Sequence, residues 1–203
     1  MGGPWAGVDV GAAKGFDLAV VDRSRVLDTA RFPTVQEVVD WLRARAPAIV
    51  AVDSPRVAAP DGARSRACER VLRREVCGIR YTPDRSTIGS AKRGYYGWIV
   101  HGLELYAALD GAASWDVVEC FPTASWTRWA GPRTGSRAAW TGRALGRLGL
   151  AGVRARPSQD LRDAIAAAVT ARLYDDRATE RYGEIVVPAD ASAVTRLRAA
   201  SGR

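Results

Sequence analysis

AGVDVGAAKG, residues 6–15, sets one acid, Asp9, inside a short apolar run bounded by glycines. A run of that length reads as a buried strand. A buried carboxylate with no partner is costly, so Asp9 demands a partner from elsewhere in the chain. Gly7 and Gly11 leave room for a phosphate to approach the backbone, and Gly15 suits a hairpin turn.

Working outward, residues 5–10, 16–21 and 25–32 read as three successive strands joined by short turns, hence two antiparallel hairpins. TVQEVVDWLRARA follows; Thr34 with Glu37 forms a capping box and Val35, Val38, Val39 and Leu42 an apolar stripe, so a helix is expected. AIVAVD (48–53) is a continuous apolar strand of the kind buried on both faces of a parallel sheet. Residues 54–63 read as a loop and 64–75 as a basic helix, while YTPDRSTIGSAKRG reads as a second loop. An apolar helix over 95–109, a strand over 115–121 and shorter helices over 123–130 and 136–148 come next. The Ala-rich stretch 158–176 is a long helix with Ser158 as its N-cap. GEIVVP (183–188) is a candidate short strand, and the last dozen residues read as a helix or a frayed tail. The order predicts an α/β fold: a mixed five-stranded sheet, order 3-2-1-4-5, flanked by helices, in one domain over 1–203. The strands reached through helices run parallel to the first, so their C-terminal ends share one edge, where open α/β sheets bind ligands.

The 203 residues carry a formal charge of +8, with arginine supplying 28 of the 30 cations. That suits a polyanion such as nucleic acid, though an Arg- and Ala-rich composition also follows from genome base composition. No run approaches the roughly 18 apolar residues of a membrane span, and no secretory signal is visible, so a cytoplasmic protein is expected. Three cysteines without CxxC spacing and a single histidine, His101, argue against zinc and against a disulfide framework. A Ser-His-Asp triad has no support.

Each candidate parallel strand carries an acid near its end: Asp9, Asp53 before Ser-Pro, and Glu119 in VVECFP. Taken singly, Asp53 opens a turn and Glu119 pairs with an arginine. Together they ask for a cation, and all-oxygen ligands point to Mg²⁺ or Mn²⁺. The long helix adds Asp160 and Asp163. An acid in a first turn also favours the helix dipole by about 0.3–1 kcal/mol. Asp163, however, heads a face of Ala164, Ala167 and Ala171 that permits close approach to the sheet. Carboxylates holding paired Mg²⁺ ions support in-line displacement at phosphorus.

GVDVGAAKGFDLAVVD, AIVAVDSP, RACERVLRREVCGIRYTP, VVECFPTASW, DLRDAIAAAVTARLY and YGEIVVP resemble, in order, the motifs of domain-of-unknown-function family 429, from about residue 6 to 188. That resemblance implies a ribonuclease H-like fold and a predicted nuclease. Its acidic positions fall on Asp9, Asp53, Glu119 and Asp163, with Asp160 the earlier acid of the D-x-x-D pair. The pattern also resembles Holliday-junction resolvases, in which the first strand, a later strand and a helix supply the acids.

Arg66, Arg70, Arg73 and Arg74 fall on one side of the basic helix and are candidate phosphate ligands, or else a solvated face with Glu69 and Glu75. Lys14 is positioned to meet a phosphate or the acids. Tyr81, Arg85, Lys92 and Arg93 form a candidate lid. Trp126, Trp129 and Trp140 are candidates for stacking on bases, whereas Trp41, Trp98 and Trp115 read as core. The leading expectation is a Mg²⁺- or Mn²⁺-dependent nuclease acting on DNA or RNA. A non-catalytic nucleic-acid-binding protein on the same fold is the first alternative. A phosphotransferase of the actin and sugar-kinase type is the second, because Asp9-Val10-Gly11 with Lys14 matches its phosphate hairpin; 203 residues hold only one of the two domains such proteins join.

Overall fold

A computed structural model describes residues 3–90, 94–112 and 115–191. Strands β1 (Trp5–Val10), β2 (Phe16–Val21) and β3 (Val26–Phe32) form the antiparallel meander. The first hairpin closes where Gly11 N–H donates to the Gly15 carbonyl at 2.8 Å. Gly15 takes φ +77°, and a Cβ there would lie 2.2 Å from the Phe32 carbonyl oxygen, so both the turn and its close approach require glycine. Helix α1 (Val35–Arg45) starts with the Thr34–Glu37 capping box and buries Val38, Val39 and Leu42.

β4 (Ile49–Asp53) then pairs parallel to β1, and β5 (Asp116–Cys120) pairs parallel to β4. Between them lie α2 (Ala67–Glu75), the short α3 (Arg85–Ser90) and α4 (Gly97–Ala112). Helices α5 (Pro122–Ala130), α6 (Arg137–Leu148) and α7 (Gln159–Asp175) lead to the hairpin of β6 (Thr179–Tyr182) and β7 (Ile185–Pro188).

The sheet order is 3-2-1-4-5-7-6. The expected five strands stand in the expected order, which with the antiparallel β2 is the ribonuclease H-like arrangement. The sheet has seven strands rather than five, because β7 adds parallel to β5 and turns back as β6. β6 reads TERY, four residues with little apolar alternation, which left no pattern to recognise. The segment read as a loop also holds α3, a helix too short to show periodicity. The candidate lid residues Lys92 and Arg93, and the final dozen residues, lie outside the described residues.

The two faces of the sheet carry different cores. Ala6, Val8, Val10, Val50 and Val52 pack against α1 and α4. Trp5, Ala19, Val21, Ile49, Ala51, Val118 and Cys120 pack on the other face against α7, whose residues 163–173 are buried throughout. α7 lies directly on β1. A Cβ on Gly7 would come within 2.2 Å of the Ala164 carbonyl oxygen and the Ala168 nitrogen. The expectation that Gly7 admits a phosphate is therefore overturned: the space is filled by a helix backbone. Gly11 is likewise closed, a Cβ there meeting the Gly15 oxygen at 2.8 Å.

Candidate functional site

Strand register decides which acids meet. Asp9 stands opposite Asp17 on β2 and opposite Asp53 on β4. Because side chains alternate along a strand, all three project from the face that α7 covers. Gly7, two residues earlier on that face, lets α7 settle against β1. The N-terminal turns of α7 then carry Asp160 and Asp163 to the same end of the sheet. Oxygens of Asp9, Asp17 and Asp160 all lie within 4.8 Å of one another.

Burial, followed by the charges of Asp53, Asp163, Asp160 and Asp17, pushes the Asp9 carboxyl far above the usual carboxylate range. Asp53 is also raised, by burial and by Asp163, while Arg137 and a hydrogen bond from Asp9 pull it back. The pair thus shares a proton rather than ionising twice. Burial raises Asp17 against the pull of Arg31, which binds it at 2.6 Å. Asp160 is met by Arg31 at 3.3 Å and by the exposed Lys14 at 3.6 Å.

Asp163 is held rigidly. Its carboxylate accepts from Trp126 Nε1 at 2.7 Å, from Gln159, and from Arg137 at 2.9 Å. With one proton shared by Asp9 and Asp53, the five carboxylates carry four negative charges against the three cations placed beside them among the described residues, Lys14, Arg31 and Arg137. The donors are all carboxylate oxygens, a set matched to a hard divalent cation.

Glu119 does not join these acids. It stands opposite Val52, one residue before Asp53, and so projects from the other face. There the buried Arg66 binds it with both terminal nitrogens, and Arg56 N–H donates to it at 2.8 Å. Burial raises Glu119, and Arg66 opposes that rise. Arg66 also bonds Glu69, which accepts from Thr82 N–H in turn. Arg66 is accordingly a buried tie between strand and helix rather than a phosphate ligand. Arg70 bonds Ser65, and Arg73 lies over the Tyr81 ring at 5.3 Å; neither contacts the acids. Trp126, Trp129 and Trp140 are nearly fully buried, so base stacking on them is overturned by packing.

Beside the acids opens a cleft of about 680 Å³ with Asp53 in its wall. Arg80, Arg133 and Arg137 line it, together with Trp98 and Phe121. A small adjoining pocket shares Asp53, Arg80, Trp98 and Phe121 with the cleft and is lined by Arg66, Glu69, Thr82 and Glu119.

A family model described as protein of unknown function (DUF429) matches residues 7–192. The chain belongs to this family. Among solved structures, Thermus thermophilus RuvC in complex with a Holliday junction substrate is similar over 85% of this chain and 94% of that one, at 18% identity and a TM-score of 0.47. A second Thermus thermophilus RuvC structure is similar at 17% identity and a TM-score of 0.44, covering 85% and 95% of the two chains. No curated protein sequence matches.

In this DUF429 protein, sequence reasoning missed three site residues. Asp17 had a signal: it sits next to the turn, and a tight hairpin pairs it with Asp9. Arg31 was reachable by the same counting, as the cross-strand partner of Asp17. Arg137 had none, because only the packing of α6 on α7 brings it to Asp163.

Proposed function

We propose that the protein is a metal-dependent nuclease that hydrolyses phosphodiester bonds in nucleic acid, with Asp9, Asp53, Asp160 and Asp163 as its acidic centre. The observation that carries this reading is the convergence of Asp9, Asp53 and the α7 acids on one sheet edge, short of cations, beside an arginine-lined cleft.

Asp9, Asp53, Asp160 and Asp163 would hold Mg²⁺ or Mn²⁺, with Asp17 alongside. Such an ion makes a bound water more acidic and stabilises the leaving oxygen. The chain's own residues do the rest. Gln159, Trp126 and Arg137 lock the Asp163 carboxylate in one orientation, as a preorganised centre requires. Arg31 holds Asp17 and reaches Asp160, keeping the outer acids in place. Arg137, shared between Asp163 and the cleft, is placed to meet a phosphate oxygen of the substrate. Glu119 is held by Arg66 and takes no part in the acidic centre.

The test is cleavage of labelled DNA and RNA, single- and double-stranded, with Mg²⁺ or Mn²⁺. Wild type should cleave at least one of them, and both Asp9→Asn and Asp53→Asn should abolish cleavage while remaining folded. Undiminished cleavage by Asp9→Asn would remove the centre from the reaction.

A further inference from the structure

We propose that the cleft beside Asp53 is a binding site for one unpaired nucleotide, so that the protein acts on single-stranded or locally opened nucleic acid; this rests on the nuclease reading above. Three features of the cleft argue for it.

The first is charge. Arg80 and Arg133 are exposed and line the cleft, and neither makes an ion pair or hydrogen bond among the described residues. Most other arginines near the site are committed: Arg31 to Asp17, Arg56 to Asp110, Arg66 to Glu119. Uncommitted guanidiniums facing a cavity suit an anion, and their fork geometry suits phosphate.

The second is shape. A duplex presents its phosphates on a convex surface, and a flat basic face would serve it. Here the arginines instead rim a concave space of about 680 Å³, the scale of a site that encloses a small-molecule-sized group.

The third is the wall. Phe121 and Trp98 are half-buried, with part of each side chain open to the surroundings, and both line the cleft. Aromatic faces stack on bases of any identity, but a base still within a helix has both of its faces covered by its neighbours. Guanidiniums for the phosphate and aromatic surface for the base therefore select a nucleotide removed from the stack. Asp53, in the same wall, places the phosphate of that nucleotide next to the acidic centre.

Fluorescence anisotropy in EDTA tests this without any turnover, using a labelled short oligothymidylate, the matching oligouridylate and a blunt duplex. Wild type should bind at least one single strand roughly tenfold or more tighter than the duplex. The double variant Arg80→Ala/Arg133→Ala should lose roughly tenfold in single-strand affinity. Its plot of log K against log salt should flatten by about 1.4, two phosphate contacts on a single strand. Phe121→Ala should weaken single-strand binding by about fivefold or more. If that variant unfolds, Phe121→Leu keeps the bulk while removing the aromatic face and is read instead.

A duplex bound as tightly as both single strands, or unchanged affinity and salt slope in the double variant, overturns the proposal. Preference for one sugar over the other identifies DNA or RNA as the natural strand and supports it. Failure of the nuclease reading looks different: wild type then binds single strands as described but cleaves nothing when Mg²⁺ or Mn²⁺ is restored.

Discussion

Replacing Asp9 by asparagine should stabilise the metal-free protein at neutral pH. In the folded chain, burial and four neighbouring acids hold the Asp9 carboxyl protonated well above the usual range. In the unfolded chain it ionises near 3.9. A folded pKa raised above the unfolded one means that the penalty is absent below about pH 4 and grows as pH rises, levelling off only beyond the folded value. At pH 7 proton uptake across about three pH units sets a ceiling of about 4 kcal/mol. Asp9 is only half-buried and the screened pair relaxes, so about 2 kcal/mol is expected. For a domain of this size that raises Tm by about 4–8 °C. Thermal melts in EDTA between pH 4.5 and 8 provide the measurement. Wild-type stability should decline across that range, and the Asp9→Asn curve should be flatter and cross above it. Adding Mn²⁺ should reverse the order, because wild type gains about 2.7 kcal/mol at a hundredfold excess over Kd and the variant gains much less. An Asp9→Asn protein less stable than wild type in EDTA at pH 7.5 would refute the reasoning.

Three further outcomes follow from the same geometry. Glu119→Gln breaks a buried ion pair with Arg66 and should cost about 3 kcal/mol by chemical denaturation, while Mn²⁺ affinity of the folded fraction, measured by calorimetry, stays near wild type. Gly7→Ala forces a methyl into the α7 backbone and should cost at least about 3 kcal/mol; circular dichroism would show an early melt, and a neutral effect would mean that α7 does not seat on β1. Arg137→Gln removes a cation that competes at the acids, so calorimetric Mn²⁺ affinity should rise by about fivefold, roughly 1 kcal/mol for a partly exposed charge, while single-strand binding weakens.

The strand meander, the two parallel strands and the long Ala-rich helix were all legible from residue pattern, because buried strands and capped helices advertise themselves within a few residues. Asp9, Asp53, Asp160 and Asp163 were legible for a related reason: acids at strand ends and at a helix start, in a fold whose topology gathers those ends. Glu119 shows where that logic fell short. Being at the end of a neighbouring strand places a residue at the right edge, but its face depends on register. A single residue of offset, Val52 rather than Asp53 opposite Glu119, turned the side chain away. Arg66 failed alongside it, since a cation read on a helix face as a phosphate ligand in fact capped the helix and turned inward to the carboxylate that strand register had turned away from the other acids.

The sequence by itself determined the element order, the sheet edge and the acids of β1, β4 and α7, since these depend on local periodicity and on the handedness of crossovers. Only the tertiary structure decided that Asp17 joins them, that Arg137 reaches in from α6, that Glu119 turns to Arg66, and that two uncommitted arginines and two aromatics frame a cleft. Those outcomes depend on strand register and on helix-to-helix packing. Both are fixed by contacts between residues far apart in the chain, whose relative placement no local pattern encodes.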